Sequence, residues 1–155
     1  MDDLSALTDL HSDPEVARFI GGVKTLEQTQ QRLLGWLAEY EKYGYSKWAV
    51  VLQSTGEFIG RCGLSPEVVD GVSHWELGWT FARAHWGNGY ATEAARGAMQ
   101  HSFNNLGLQR LISLIRPGND ASVRVAQRLG MTYEGLVQWN GAPANMYSAS
   151  SPRLT

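Results

Sequence analysis

His74-Trp75-Glu76-Leu77-Gly78-Trp79-Thr80-Phe81, followed almost at once by Arg83-Ala84-His85-Trp86-Gly87-Asn88-Gly89-Tyr90-Ala91-Thr92-Glu93-Ala94, is the stretch that decides the fold of this chain. In its first half the apolar residues Trp75, Leu77, Trp79 and Phe81 recur at every second position, which is the period of a strand, and Glu76, Gly78 and Thr80 take the other face. From Tyr90 to Leu106 the spacing turns helical, with Ala91, Ala94, Ala95, Ala98, Met99, Ser102 and Phe103 on the buried side. So many alanines on one face imply close packing. A strand that passes through a glycine turn into a helix makes an anion site, because the first helical turn leaves N–H groups unpaired and glycines let an oxyanion approach the backbone. Neither a Walker loop of the form Gly-x-x-x-x-Gly-Lys-Ser/Thr nor a dinucleotide Gly-x-Gly-x-x-Gly is present.

Upstream, Asp13-Pro14-Glu15 is a helix start, an Asp cap followed by Pro at the first helical position, and Gly21-Gly22 stops the short helical pieces of the first twenty residues. Thr25 with Gln28 forms a capping-box pattern for a longer helix, with Leu26, Leu33, Leu37 and Tyr40 at helical spacing and an end near Gly44. Trp48 to Leu52 and Phe58 to Leu64 read as a hairpin across the turn Ser54-Thr55-Gly56-Glu57. Downstream, Arg110 to Ile115 reads as a buried strand and Asn119 to Leu129 as a helix capped by Asn119, with Gly130 in the left-handed position after it. Strands near Met131 to Trp139 and Ala144 to Ala149 flank Asn140-Gly141, a tight-turn dipeptide. Helices, an antiparallel meander, then helix, strand, helix and hairpin give a mixed, twisted sheet flanked by helices, an α/β fold with α+β character, in a single domain over residues 1–155.

Composition bounds the function. A chain of 155 residues with 43% hydrophobic and 18% charged residues can build its own core. Its 13 basic and 15 acidic side chains, net −2, include no run of like charge, which argues against a nucleic-acid surface. Apolar stretches fall far short of the ~20 residues that cross a bilayer. The start, Met1-Asp2-Asp3-Leu4, has no secretory signal pattern, so the expectation is a cytoplasmic protein that binds neither membrane nor nucleic acid. One cysteine, Cys62, and four scattered histidines offer no metal-site spacing, so no metal is expected.

Trp86-Gly87-Asn88-Gly89-Tyr90-Ala91-Thr92-Glu93-Ala94 resembles the acetyl-CoA loop of the GNAT N-acetyltransferases, in the branch that includes the ribosomal-protein acetyltransferases of RimJ/RimL type. Asn119-Asp120-Ala121-Ser122-Val123-Arg124-Val125-Ala126-Gln127-Arg128-Leu129-Gly130-Met131 resembles that branch's Asn-x-x-Ser helix ending in Lys-Leu-Gly-Phe, and the likeness runs from about Asp13 to Tyr147. The resemblance implies an N-acetyltransferase that moves an acetyl group from acetyl-CoA to a primary amine, a peptide N-terminus or a small molecule, releasing CoA. It implies that the backbone of Trp79, Thr80 and Phe81 pairs with the pantetheine arm like an added strand, and that the backbone N–H groups of Gly87, Asn88, Gly89, Tyr90 and Ala91 hold the diphosphate, with Trp86, Thr92, Asn119 and Ser122 also at the cofactor. Glu76 is the expected base for the amine proton, and Ser122 the expected hydrogen-bond donor to the departing thiolate.

Three departures from the family pattern stand out. The usual opening strand is expected to be missing or shortened, exposing a neighbouring edge that a second copy in a homodimer would cover. Asn88 replaces the Lys or Arg common in the loop, and Ala126 stands where other branches place a thiolate-protonating Tyr, leaving Tyr133 and Tyr147 as substitutes. Plainer readings stay open beside these: Glu76 on a solvated face, Asn119 and Ser122 as ordinary caps, His74 and His85 as structural rather than proton-carrying, and Cys62 as a small buried residue. The six tryptophans read mainly as core, with Trp86 and Trp139 as alternatives for lining a pocket. A non-catalytic acyl-CoA-binding or sensing domain, and an interaction module that lost the cofactor, are the rival functions.

Overall fold

The computed structural model describes residues 2–152. Helices α1 (Leu4–Ser12), α2 (Pro14–Ala17) and α3 (Leu26–Tyr43) precede strands β1 (Lys47–Val51), β2 (Phe58–Val69) and β3 (Val72–Phe81). A 3-10 turn (Arg83–His85), helix α4 (Tyr90–Asn104), β4 (Arg110–Ile115), α5 (Asp120–Arg128), β5 (Thr132–Trp139) and β6 (Ala142–Ser150) follow. The strands form one six-stranded sheet in the order β1-β2-β3-β4-β6-β5, antiparallel in the pairs β1–β2, β4–β6 and β5–β6 and parallel between β3 and β4. The expected mixed α/β architecture is therefore the observed one. The chain clusters into two compact units, residues 1–63 with 79–90 and residues 64–78 with 91–155, so that β2 and β3 each begin in one and end in the other. No helix of the described residues is long and apolar enough to cross a membrane.

In the first unit, local chemistry sets the helix ends as the sequence implies. Asp13 accepts from the Glu15 N–H at 3.0 Å, the Thr25–Gln28 capping box is closed in both directions, and Gly44 caps α3 at φ 83°. α1 is a separate nine-residue helix that the sequence reading did not separate from the pieces around Asp13. The buried side of α3 also differs from expectation. Thr29, Leu33, Trp36 and Tyr40 turn inward, whereas Leu26 and Leu37 are 57% and 40% exposed. Leu33 and Trp36 pack with Phe58 and Ala82 on the Leu7, Leu10 and Val16 core. Among these apolar groups lies a polar knot. His11, with no solvent exposure, accepts from Arg61 Nε at its Nε2 (3.2 Å) and sets Nδ1 3.4 Å from Thr29 Oγ1, and the Arg61 guanidinium stacks 5.0 Å from the centre of the Trp36 ring. Because Arg Nε–H can only donate, His11 Nε2 is the bare nitrogen and Nδ1 carries the proton.

In the second unit, β2 runs five residues beyond its expected end at Leu64 and turns at Asp70-Gly71, both left-handed at φ 50° and 77°, into β3. That dipeptide is itself a hairpin signal, masked in the sequence by Pro66 inside the strand. Asn140 (φ 49°) and Gly141 (φ 78°) make the second tight turn, as expected. Val69, Ile112, Leu114 and Ala144 form the core with Val137, Trp139 and Met146 packed on it. Arg116 stacks on Trp139 at 4.7 Å and donates to the carbonyls of Trp139, Ala142 and Pro143, while the Trp139 indole N–H donates to Glu67 at 2.9 Å. Trp139 is thus held as part of the hairpin clamp. On α4 the buried residues are Ala95, Ala98, Met99, Ser102 and Phe103, all on the expected side.

His11 yields a pH test. Burial first, then the charges of Arg61, Arg32 and Lys24, hold its pKa down at about 3 against an ordinary 6.5. The unfolded chain therefore binds the extra proton between those values, and the contribution of neutral His11 to stability is complete above about pH 6.5 and lost as pH falls toward 3. Melting temperatures at pH 7 and 4.5 should show wild type losing more on acidification than His11→Gln, which starts lower at pH 7; parallel losses would contradict the assignment.

Candidate active site

The loop between β3 and α4 is built by short-range bonds. The Trp86 indole donates to the Phe81 carbonyl at 2.9 Å, and the backbone N–H groups of His85 and Trp86 donate to the carbonyls of Ala82 and Arg83. Arg83 Nε pairs with Asp13 at 3.2 Å, and His85 Nε2 lies 3.2 Å from a Glu57 carboxylate oxygen. Asn88 is turned back into the loop, its amide nitrogen donating to the carbonyls of His85 (3.1 Å) and Trp86 (3.2 Å). The residue in place of the family's usual cation is therefore a brace that absorbs two carbonyls and leaves the loop's field to its N–H groups.

Gly87 (φ 79°) and Gly89 (φ 78°) are left-handed, and a Cβ built on either meets nothing within 4 Å. Their lack of a side chain thus answers to backbone conformation and open space, with no packed neighbour requiring it. The loop ends at Tyr90, the first residue of the fifteen-residue helix α4, whose opening N–H groups have no intrahelical acceptor. In that first turn the Thr92 hydroxyl is buried without a hydrogen-bond partner among the described residues. A buried hydroxyl ordinarily has a partner. A glycine cradle with positive helix-end potential and an orphaned hydroxyl fits a diphosphate, which brings acceptor oxygens and negative charge.

On the strand before the loop, Thr80 and Phe81 are buried at 8% and 5% exposure, and Trp79 is half-buried. Gly60 lies beneath them: a Cβ there would stand 2.5 Å from the Thr80 carbonyl oxygen and 2.9 Å from the Phe81 ring. Trp86 is largely exposed.

In the second unit, Glu76 is 8% exposed, which overturns the solvated-face reading. Thr80 is buried as well, so the polar side of β3 is covered along with its apolar side. Glu76 is also the residue of β3 that pairs with β4, opposite Ile112, and among the described residues the parallel ladder consists of that one pair. Beyond it the Ser113 hydroxyl donates to the Leu77 carbonyl at 2.7 Å, a side-chain bond where a continuing ladder would use a backbone N–H. Asn119 accepts from the Ser122 N–H at 3.3 Å and so acts as the helix cap, while Ser122 is half-buried. Ala126 is fully buried. Of the two substitute tyrosines, Tyr133 donates to Asn145 at 3.1 Å and Tyr147 is buried 5.3 Å from it, ring centre to ring centre. His74 lies 3.4 Å from Arg110, and burial with that positive charge lowers its pKa. Cys62 is buried, as the plainer reading expects. Among the described residues no three His, Cys, Asp or Glu side chains group as a metal site.

Residues 1–132 match the family model of the acetyltransferase (GNAT) domain, and the chain belongs to that family. It is an N-acetyltransferase, and acetyl transfer from acetyl-CoA to an amine is the activity at the level the family defines. The chain is 41% identical to the protein YkkB of Bacillus subtilis, over 92% of this chain and 83% of that one. An acetyltransferase structure from Agrobacterium tumefaciens str. C58 superposes with a TM-score of 0.84 at 31% identity, covering 96% of this chain and 85% of the other. RimL, the ribosomal L7/L12 α-N-protein acetyltransferase, shares the fold at a TM-score of 0.75 and 20% identity, over 96% and 89% of the two chains.

The cradle makes a test of its own. Gly89→Ala adds a methyl group that touches nothing in the protein and costs about 1 kcal/mol for the left-handed backbone. Gly89→Val or Gly87→Val places a branched side chain where phosphate oxygens must approach. Calorimetry with CoA should show more than tenfold weaker binding for the valine variants, with the melting temperature as the control for folding. Unchanged affinity in a folded variant would remove the loop from the binding site.

Proposed function

We propose that this chain is a cytoplasmic, single-domain acetyltransferase of RimJ/RimL type that acetylates a primary amine, on a peptide N-terminus or a small molecule, by direct attack on the thioester of acetyl-CoA. The observation that carries this reading is the Gly87-to-Thr92 cradle, two left-handed glycines open to approach at the start of α4 with a buried, unpartnered hydroxyl in its first turn.

Acetyl-CoA supplies an activated acyl carbon and a thiolate leaving group. The backbone N–H groups from Gly87 to Ala91 and the Thr92 hydroxyl hold its diphosphate, and Trp79, Thr80 and Phe81 offer strand backbone to its arm. An incoming amine is mostly protonated at neutral pH, so attack needs a base. Glu76 takes that proton, directly or through water, as the carbon–nitrogen bond forms and the carbon–sulfur bond breaks. Its burial supports the role, since a covered carboxylate beside the end of a strand ladder is shielded from bulk water. The Ser122 hydroxyl donates to the departing sulfur, and Asn119 fixes the turn from which it does so.

Glu76→Gln should lower the turnover number by ~10²-fold or more at neutral pH while leaving CoA affinity little changed, because general-base contributions are typically ~10²–10⁴. The loss should be milder for amines of low pKa, which arrive deprotonated. Thiol release measured over an amine panel decides the matter. Wild-type turnover in Glu76→Gln for every amine would take the base assignment away from Glu76, and CoA binding without thiol release in the unaltered protein would favour the non-catalytic alternative.

A further inference from the structure

The glycine cradle is held in shape by bonds that lead out of it. Gly87 and Gly89 stand in open space, so packing does not fix their left-handed backbone; Asn88 between them braces it, by donating to the carbonyls of His85 and Trp86. Trp86 is secured locally, its indole bonded to the Phe81 carbonyl at the end of β3. His85 is secured from elsewhere in the chain. Its Nε2 lies 3.2 Å from a carboxylate oxygen of Glu57, 28 residues away, and since a carboxylate only accepts, Nε2 carries the proton and donates.

Glu57 is itself fixed where it reaches His85. Its N–H donates to Thr55 Oγ1 at 3.2 Å and its carbonyl accepts from the Leu52 N–H at 2.9 Å, closing the turn that leads into β2. The Ile59 carbonyl then accepts from the Ala82 N–H at 2.9 Å, and the Ala82 carbonyl accepts from the His85 N–H at 2.9 Å. Backbone bonds thus bring the two residues side by side, and all of these groups belong to the first unit. The Glu57 side chain is 56% exposed and that of His85 17%. An ion pair open to water on one side adds little to global stability. What it supplies is local order, because it removes freedom from the 3-10 turn to which Asn88 is bonded.

We propose, resting on the acetyl-transfer reading above, that Glu57 and His85 are positioning residues for the cosubstrate, a tether that holds the N–H groups of the cradle in their diphosphate-binding arrangement before CoA arrives. Neither touches the diphosphate. The path runs from the Glu57 carboxylate through the His85 ring and its backbone carbonyl to the Asn88 amide. A loop ordered in advance loses less freedom on binding, so the tether is read in CoA affinity.

The test is a double-mutant cycle followed by calorimetry with CoA. Glu57→Ala and His85→Ala, which keep the backbone bonds, should each weaken binding roughly three- to tenfold, and the double variant should be no weaker than the weaker single one. His85→Gln, whose amide nitrogen can donate in place of Nε2, should recover most of the loss, and melting temperatures should stay close to that of the unaltered protein throughout. Hydrogen exchange without ligand gives a second reading: the amides of residues 86–91 should exchange several-fold faster in both alanine variants. Unchanged affinity in both alanine variants, losses that multiply in the double variant, or a loss that His85→Gln does not relieve overturns the inference. An unaltered protein that binds no CoA overturns the acetyl-transfer reading instead, and exchange then decides the tether: faster exchange in the alanine variants upholds it, and unchanged exchange overturns it.

Discussion

The parallel pairing of β3 with β4 is the constraint on which the site depends. Parallel neighbours cannot be joined by a tight turn, so the chain must cross over, and here it does so through α4. The crossover helix starts at Tyr90, after the 3-10 turn and the glycine loop that follow Phe81, and its first turn brings unpaired N–H groups and positive helix-end potential to the end of that loop. The glycines at 87 and 89 supply the left-handed conformations through which the connection 82–89 turns into the helix. That the ladder consists of the single pair Glu76–Ile112 is the other half of the arrangement. Two parallel strands joined at one rung keep their later backbone groups out of mutual pairing.

Around this constraint the two units solve different problems. The first carries a short helix, a helical turn and a long helix ahead of its strands, and buries a histidine, a threonine and an arginine among apolar side chains. Buried polar groups are tolerable only when their hydrogen bonds are made, and the tautomer forced on His11 by Arg61 is how that condition is met. The second unit is a plainer apolar core closed by two tight turns, with Arg116 answering three carbonyls at one of them. Family membership and the glycine cradle agree on the same cosubstrate chemistry, while RimL at 20% identity speaks to the fold alone.

Much of this was legible in the sequence because it is local. The capping box, the Asp-Pro start, the Asn-Gly turn and the six-residue strand from Arg110 to Ile115 are determined by residues a few positions apart, and each stands where the sequence puts it. The glycine loop was legible for the same reason. Failures came where periodicity is ambiguous. Leu26 and Leu37 share a helical stripe with Leu33, but the face that turns inward is centred on Thr29 and Trp36, because α3 docks on a polar knot as well as on leucines. Pro66 hid the extension of β2, although Asp70-Gly71 marked its turn.

The sequence by itself determined the order and kind of elements, the crossover after Phe81 and the glycine loop that leads into α4, since each depends on propensities and spacings within a turn or two of chain. Only the tertiary structure decided that Glu76 is covered, that Asn88 braces its own loop, that Thr92 is left with an unanswered hydroxyl, and that His11, 50 residues from Arg61, fixes its guanidinium. Burial and long-range pairing depend on which surfaces meet when the elements pack, and no local pattern encodes the partner of a side chain a third of the chain away.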